Sequence, residues 1–133
     1  MARAREAASP SRHVSAPVPS EAALSRRLIS LGWGGASPSE DQPDEARALL
    51  LRASLLEDVA AGNLEQALAK ARAMASLRGE LADIAHHEEA RALVGLGREA
   101  DAVGALRLAC RRSPAARRSF HQFCLGMSLF FAG

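Results

Sequence analysis

The chain has 133 residues, a formal net charge of +2 and 24% charged residues. This length fits at most one domain, and the interspersed acidic and basic residues form no basic stripe, which argues against nucleic acid as a partner. Aromatic residues make up 4% and tyrosine is absent, so the alanine-rich composition favours helices over an all-β fold. No run of about 20 apolar residues is present, so we expect no membrane span.

The two cysteines, Cys110 and Cys124, form no CxxC pair, and no His or Cys cluster of metal-ligand spacing surrounds them. We interpret them as reduced, mostly buried thiols of a cytoplasmic protein. The N-terminus has arginines but no apolar segment, so it does not resemble a secretory signal. Lys70 is the only lysine, which we attribute to coding bias in a GC-rich bacterial genome.

Residues 1–40 are predicted to form a disordered N-terminal tail with a short helix near residues 21–31. The first half of this tail is rich in Ala, Ser, Pro and Arg and has no apolar period, so it cannot bury enough surface to fold. Ser20 is the expected N-cap of the short helix. Trp33 lies in the glycine-rich joint that follows. It either packs on the rest of the chain or is left for a partner, and we favour packing.

A short pattern recurs at a fixed step in the rest of the chain. The segment GNLEQAL that begins at Gly62 is echoed by GREADAV from Gly97, 35 residues later, and Gly133 follows after a further 36 residues. This period predicts stacked helical hairpins over residues 43–133. Such stacks offer a binding surface and seldom carry chemistry of their own.

The pattern predicts five helices in this repeat domain. Asp41 or Ser39 is the expected cap of the first helix, which ends at Gly62, and Asn63 is the expected cap of the second, which ends at Gly79. The remaining three helices are predicted at about 80–96, 99–111 and 115–132. In the first of these three, the side chains predicted to face inward are Leu81, Ile84, Leu93 and Val94.

These residues resemble the tetratricopeptide repeat (TPR), a helix-turn-helix unit of about 34 residues. The second unit matches at its small and large positions, at the turn glycine and at the closing proline. Its matching residues are Ala90, Leu93, Gly97, Ala102, Ala109 and Pro114. The first unit matches through Leu55, Gly62 and Ala67 but has Met74 where a small residue is expected. The third offers Leu125, Gly126 and the turn glycine Gly133. The resemblance implies an all-α fold: a right-handed α-solenoid of antiparallel helical hairpins, with about two and a half TPR-like units.

The last predicted helix, 115–132, carries all four phenylalanines and lacks the polar outer face that a terminal repeat normally needs. Three explanations remain open. The repeat array continues beyond this helix, the helix pairs with itself in a homodimer, or it awaits an apolar segment of a partner. We favour the first.

The segment His86-His87-Glu88-Glu89 is the one cluster of titratable side chains that suggests chemistry. Adjacent histidines on a helix point about 100° apart and cannot share a metal as two histidines four residues apart do. We therefore interpret the cluster as a solvated helix face. No serine or cysteine has the partners that nucleophilic catalysis requires, so we expect no enzyme activity, no metal and no cofactor.

The resemblance implies a concave groove lined by the first helix of each unit. Aligning the units predicts a groove that is cationic at one end and apolar-aromatic at the other, suited to a peptide with an acidic group and large apolar anchors. The groove positions are Arg52 in the first unit, His87, Arg91 and Val94 in the second, and Phe120, Phe123, Met127 and Phe130 in the third.

The expected function is thus a protein-interaction module that binds a peptide or helical segment of a partner. Some TPR proteins clamp a carboxylate with a set of lysines and asparagines. Arg52 and Arg91 imitate this set only in part. Two alternatives remain. The short length, leading helix and Phe-rich third unit also resemble TPR-class type III secretion chaperones, which hold an apolar substrate segment. The chain is otherwise a structural stretch of a longer TPR array.

Overall fold

The computed structural model describes residues 21–132, with the side chains of Glu21 and Ala132 excepted. The predicted disordered segment 1–20, its cap Ser20 and the turn glycine Gly133 lie outside these residues. Six helices and no strand occur within the described part, which confirms the all-α prediction. The helices are α1 (Glu21–Ser30), α2 (Asp44–Ala61), α3 (Leu64–Ala75), α4 (Ala82–Gly95), α5 (Glu99–Arg112) and α6 (Ala115–Ala132). None of these six helices combines the length and the apolar character needed to cross a membrane.

The two repeated glycines end their helices in the same way. Gly62 and Gly97 adopt left-handed backbone conformations, with φ of 83° and 78°. The amide of Asn63 donates back to the carbonyl of Asp58 at 2.8 Å, and that of Arg98 donates to Leu93 at 2.8 Å. These bonds satisfy carbonyls that the helix end leaves free, and glycine adopts the required φ without strain. The sequence repeat is therefore also a repeat of backbone geometry.

The helix starts do not follow the predicted capping. Pro43 occupies the cap position of α2, so the prediction of Asp41 or Ser39 as its cap is wrong. Asn63 does precede α3, but its side chain makes no capping hydrogen bond. In α2 the fixed φ of proline prepares the first turn, and Asp44 places negative charge at the positive end of the helix dipole.

The core is built on alanines where helices cross. Ala71, Ala102 and Ala109 are completely buried, and Ala67 is 1% exposed. Because alanine ends at its Cβ atom, the backbones of successive helices can approach closely and bury the larger leucines beside them. The buried and partly buried members of the central cluster include Leu55, Leu68, Leu93, Leu106 and Leu125.

One inward-facing prediction for α4 is wrong. Ile84 and Leu93 are buried as predicted, and Leu81, which lies just before the helix, is partly buried and packs against two core clusters. Val94, however, is 47% exposed. Val94 lies one turn beyond Arg91, on a stripe of α4 that neither α3 nor α5 covers. Helical spacing therefore predicted the core face of α4 correctly but also included Val94, which lies outside that face.

The N-terminal helix docks on the repeats. Leu28 of α1 is 7% exposed and joins Leu49 and Leu50 of α2 in one apolar cluster, with Trp33 packed against it. The favoured interpretation of Trp33 as a packing residue is therefore confirmed. Helix α1 therefore packs against α2 through this apolar cluster.

We predict that Ala102→Leu lowers the free energy of unfolding by about 1–3 kcal/mol, since a larger side chain at a completely buried helix crossing forces the helices apart. Urea denaturation measures the change. Ala100→Leu is the matched control, because Ala100 lies exposed on the same helix. Equal stability of the two variants would contradict close packing at Ala102.

Candidate functional site

Helix α4 is the central helix, and several of its polar side chains are buried. Asp83 is fully buried, Glu88 is 2% exposed and His86 is 6% exposed. The interpretation of residues 86–89 as a solvated face is therefore wrong. The physical reason is that α4 has neighbours on several sides: α3 and α5 along the chain, and α2 and α6 through ion pairs one repeat away.

A polar chain joins α3, α4 and α5 on one side of this helix. Arg112 donates to Nε2 of His86 at 3.0 Å, which leaves Nδ1 to donate to Glu89 at 3.1 Å. Arg72 of α3 donates to the same carboxylate at 3.1 Å. The hydrogen bonds from His86 and Arg72 outweigh burial and lower the pKa of Glu89. This side of the cluster is thus internally satisfied and holds helices together.

On the other side, Asp83 anchors α6. Arg117 donates through Nε and Nη2 to the two carboxylate oxygens, at 2.8 and 3.0 Å, and also to the carbonyl of Glu80 at 2.9 Å. The ring of His121, itself completely buried, donates from Nε2 to Asp83 at 2.8 Å. Burial alone would raise the pKa of Asp83, but the hydrogen bonds from His121 and Arg117 lower it to about 2. We call these three residues the Asp83 junction.

His87 lies next to this junction on the α6 side of α4. Its ring centroid is 5.2 Å from that of Phe120 and 5.7 Å from that of His121. Burial, followed by repulsion from His121, Arg91 and Arg52, lowers the pKa of His87 to about 4. The ring is therefore neutral at pH 7 and sits in a positive electrostatic potential. Its Nδ1 atom is buried and has no hydrogen-bond partner among the described residues.

Two arginines share one buried carboxylate beside His87. Arg52 of α2 donates to Oε2 of Glu88 at 3.2 Å, and both side chains are almost fully buried. Arg91 places its Nε atom 3.2 Å from Oε1 of the same residue, but the geometry is not that of a hydrogen bond. The Arg91 side chain is 45% exposed. Arg52, Glu88 and Arg91 form a trio of side chains that carries a net charge of +1. Arg91, which makes no hydrogen bond to Glu88, is the more exposed of the two arginines.

A pocket of about 240 Å³ opens between α4 and α6 next to this trio. From α4, residues on successive turns supply one wall, and α6 supplies the other. The lining residues are His87, Ala90, Arg91, Val94, Leu106, Cys124 and Ser128. Its surface is mainly apolar, with Arg91 and His87 as the charged and polar groups. Such a concave apolar site with few polar groups has the general character of a ligand site.

The structure divides the predicted groove into two surfaces. His87, Arg91 and Val94 line the pocket, and Phe120 contacts the His87 ring. Arg52 is buried against Glu88, so the predicted cationic end is partly neutralised. The other three predicted positions do not line the pocket and lie exposed on α6. They are Phe123, Met127 and Phe130, which are 67%, 41% and 77% exposed.

Sequence reasoning missed Cys124 and Ser128 as pocket residues, because the repeat alignment assigned the α6 wall to positions one residue away. It also missed the Asp83 junction. One signal was available: Asp83 and Arg117 are 34 residues apart, and Asp83 and His121 are 38 apart. Complementary side chains separated by about one repeat period are candidates for contact between equivalent helices.

A larger cleft of about 310 Å³ lies between α1, α2 and the segment that precedes α4. Two of its four charged side chains are engaged with each other, since Arg27 donates to both carboxylate oxygens of Glu45 at 2.7 and 3.1 Å. The other two, Arg78 and Glu80, carry opposite charges, so the cleft has no excess of either sign. The pocket beside Arg91 is therefore the better candidate.

The chain matches no protein-family model, and no significant match was found among curated proteins or solved structures. The function must therefore be argued from the geometry itself.

We predict that Asp83→Asn destabilises the protein by about 3–5 kcal/mol, since the change leaves the largely buried Arg117 without its counter-charge and weakens the hydrogen bond to the buried His121. Urea denaturation at pH 7 measures the loss. Asp101→Asn is the control, because Asp101 forms an exposed pair with Arg98 that contributes about 0–1 kcal/mol. A cost for Asp83→Asn no larger than that of the control would contradict the junction.

We also predict a pH dependence of stability that originates in His87. The folded-state pKa is about 4 and the unfolded value is 6.5, so below pH 6.5 the unfolded chain binds more protons than the folded one. Stability from this residue is present above pH 6.5 and is lost as the pH falls toward 4, by roughly 2–3 kcal/mol. In His87→Leu, the difference in unfolding free energy between pH 7 and pH 4 should shrink by that amount. An unchanged difference would show that His87 does not titrate in this way.

Proposed function

We propose that the chain is a protein-interaction module whose helices form a TPR-like, right-handed solenoid, and that a segment of a partner protein binds in the pocket between α4 and α6. The repeat in the contacts supports the solenoid. Arg52 pairs with Glu88 across 36 residues, and Asp83 pairs with Arg117 across 34. The 35-residue period of the sequence thus recurs as the separation of residues that join α2 to α4 and α4 to α6.

The pocket supports a partner with an apolar anchor. Its volume of about 240 Å³ accommodates one or two large apolar side chains, and its walls are supplied by Ala90, Val94 and Leu106 together with Cys124. Burial raises the pKa of the Cys124 thiol, so this residue stays protonated and acts as an apolar wall. A side chain that enters the pocket gains stabilisation from the water-accessible apolar surface that it covers.

Arg91 supports an acidic group next to that anchor, and this is the observation that carries the proposal. Among the described residues its one charged contact is Glu88, whose charge it shares with Arg52. Its two Nη groups are therefore available to donate in parallel to an incoming carboxylate. The pKa of His87 is lowered mainly by burial, and the positive charges that add to this effect, such as Arg52, act on the same site. The partner segment therefore combines a large apolar residue with a nearby carboxylate.

The experiment selects peptides from a displayed random 12-residue library against the whole chain and measures the affinity of an enriched peptide by fluorescence anisotropy. We expect enriched peptides that carry an apolar residue near an Asp or Glu. Arg91→Gln should weaken binding about tenfold, equivalent to about 1.4 kcal/mol. Val94→Arg, which fills the pocket mouth and adds charge, should abolish it.

Two controls make this test specific. Arg107→Gln removes an exposed arginine of α5 that does not line the pocket, and it should leave the affinity unchanged. Replacing the peptide's carboxylate by the corresponding amide should remove the difference between wild type and Arg91→Gln. The proposal is wrong if no peptide is enriched, or if enriched peptides bind both pocket variants as tightly as wild type.

A further inference from the structure

The outer face of α6 is a second surface, independent of the pocket and of the proposed function. Helical geometry places Phe123, Gly126 and Phe130 on one stripe, opposite the buried His121 and half-buried Leu125. Phe123 and Phe130 are 67% and 77% exposed. Soluble chains rarely leave such large apolar side chains exposed in one continuous patch, so this stripe marks an interaction surface.

The apolar side chains near this stripe supply most of the area that a specific dimer requires. Four of them are 41–77% exposed. With roughly 200 Å² for each fully exposed side chain, they present on the order of 450 Å². Two copies that bury this area against each other reach about 900 Å², close to the roughly 1,000 Å² that a specific interface needs, before the polar residues beside the stripe are counted. The four residues are Phe123, Met127, Leu129 and Phe130.

The stripe is also nearly symmetric about its own centre. Phe123 and Phe130 lie at equal distances from the point between Gly126 and Met127, with two helical turns between them. In an antiparallel pair of identical helices that cross at this point, each Phe123 meets the partner's Phe130, as a two-fold interface requires. No Asp, Glu, Lys or Arg lies between Ser119 and Phe131, and the one histidine of this stretch, His121, is buried on the opposite side of α6, so no like charges oppose each other along the contact.

Gly126 lies where the two α6 helices of such a pair would cross, and glycine permits their backbones to approach closely. A Cβ atom added there would meet nothing within 4 Å in the isolated chain, so internal packing does not require glycine at this position. Its backbone lies in the middle of a helix, where glycine is less favourable than alanine. In an antiparallel pair, the missing side chain would let the partner helix approach closely between the two phenylalanines.

We propose that two copies of this chain associate through antiparallel α6 helices that cross at Gly126, with Phe123 of each copy packed on Phe130 of the other. The occupant of the α6 face is a second copy because two identical faces match each other. Both are apolar and similar in area, both have Gly126 near the centre, and neither carries an acidic or basic side chain. The pocket beside Arg91 remains free in this arrangement, since its α6 residues, Cys124 and Ser128, lie away from the stripe.

The mass of the whole chain in solution, measured by sedimentation equilibrium from 1 to 200 µM, tests the proposal. We expect a closed dimer. Phe130→Glu should be monomeric throughout, whereas Ala69→Glu, which places the same charge on an exposed site of α3 outside the contact, should remain dimeric. A monomeric wild type, or a mass that grows beyond two copies, would overturn the proposal. A mass that grows beyond two copies would indicate that α6 is the uncovered surface of a repeat array.

Two further variants test the geometry. Gly126→Ala should raise the thermal midpoint of the monomer, because alanine favours helix, and yet weaken the dimer at least tenfold. The double variant Phe123→Lys with Phe130→Glu should dimerise better than either single variant, because antiparallel pairing brings Lys against Glu. Like charges would meet in a parallel pair, so failure of the double variant to recover any association would overturn the antiparallel arrangement. Arg91→Gln should not change the mass, which separates this inference from the proposed peptide site.

Discussion

The structure depends on one buried carboxylate. Asp83 on α4 accepts two hydrogen bonds from Arg117 and one from His121, both on α6. A buried charge is costly unless it is fully paired, so this contact permits essentially one position for α6 relative to α4. The pocket between the two helices exists because they are held at this separation, and the apolar stripe of α6 faces outward because His121 must face inward.

Contacts between alanines and contacts between charged side chains join different pairs of helices. Helices adjacent in the chain pack through alanines such as Ala71 and Ala102, which are completely buried and permit close approach. Helices one repeat apart are joined by ion pairs such as Arg52 with Glu88. Apolar packing supplies most of the stabilisation but is tolerant in register, whereas a buried ion pair is specific in geometry. Together they convert a degenerate sequence repeat into a defined stack.

The sequence predicted the helices and their turns because glycine at a left-handed turn and alanine at a helix crossing are local or periodic requirements. Gly62, Gly97 and Ala102 illustrate this success. The site was harder to predict, because helical spacing shows which residues share a face but not which neighbour covers it. The polar face at His86 and Glu88 was interpreted as solvated for that reason. Phe123 and Phe130 were predicted to line the groove, but they lie exposed on α6 outside the pocket.

Asp83 and Arg117 hold α6 in place as a coupled pair. A double-mutant cycle with Asp83→Asn and Arg117→Met, measured by urea denaturation at pH 7, tests this coupling directly. We expect a coupling free energy of about 2 kcal/mol or more, within the range found for contacting residues. Additive effects of the two substitutions, within about 0.5 kcal/mol, would contradict it, because they would show that the two side chains do not stabilise the fold through each other.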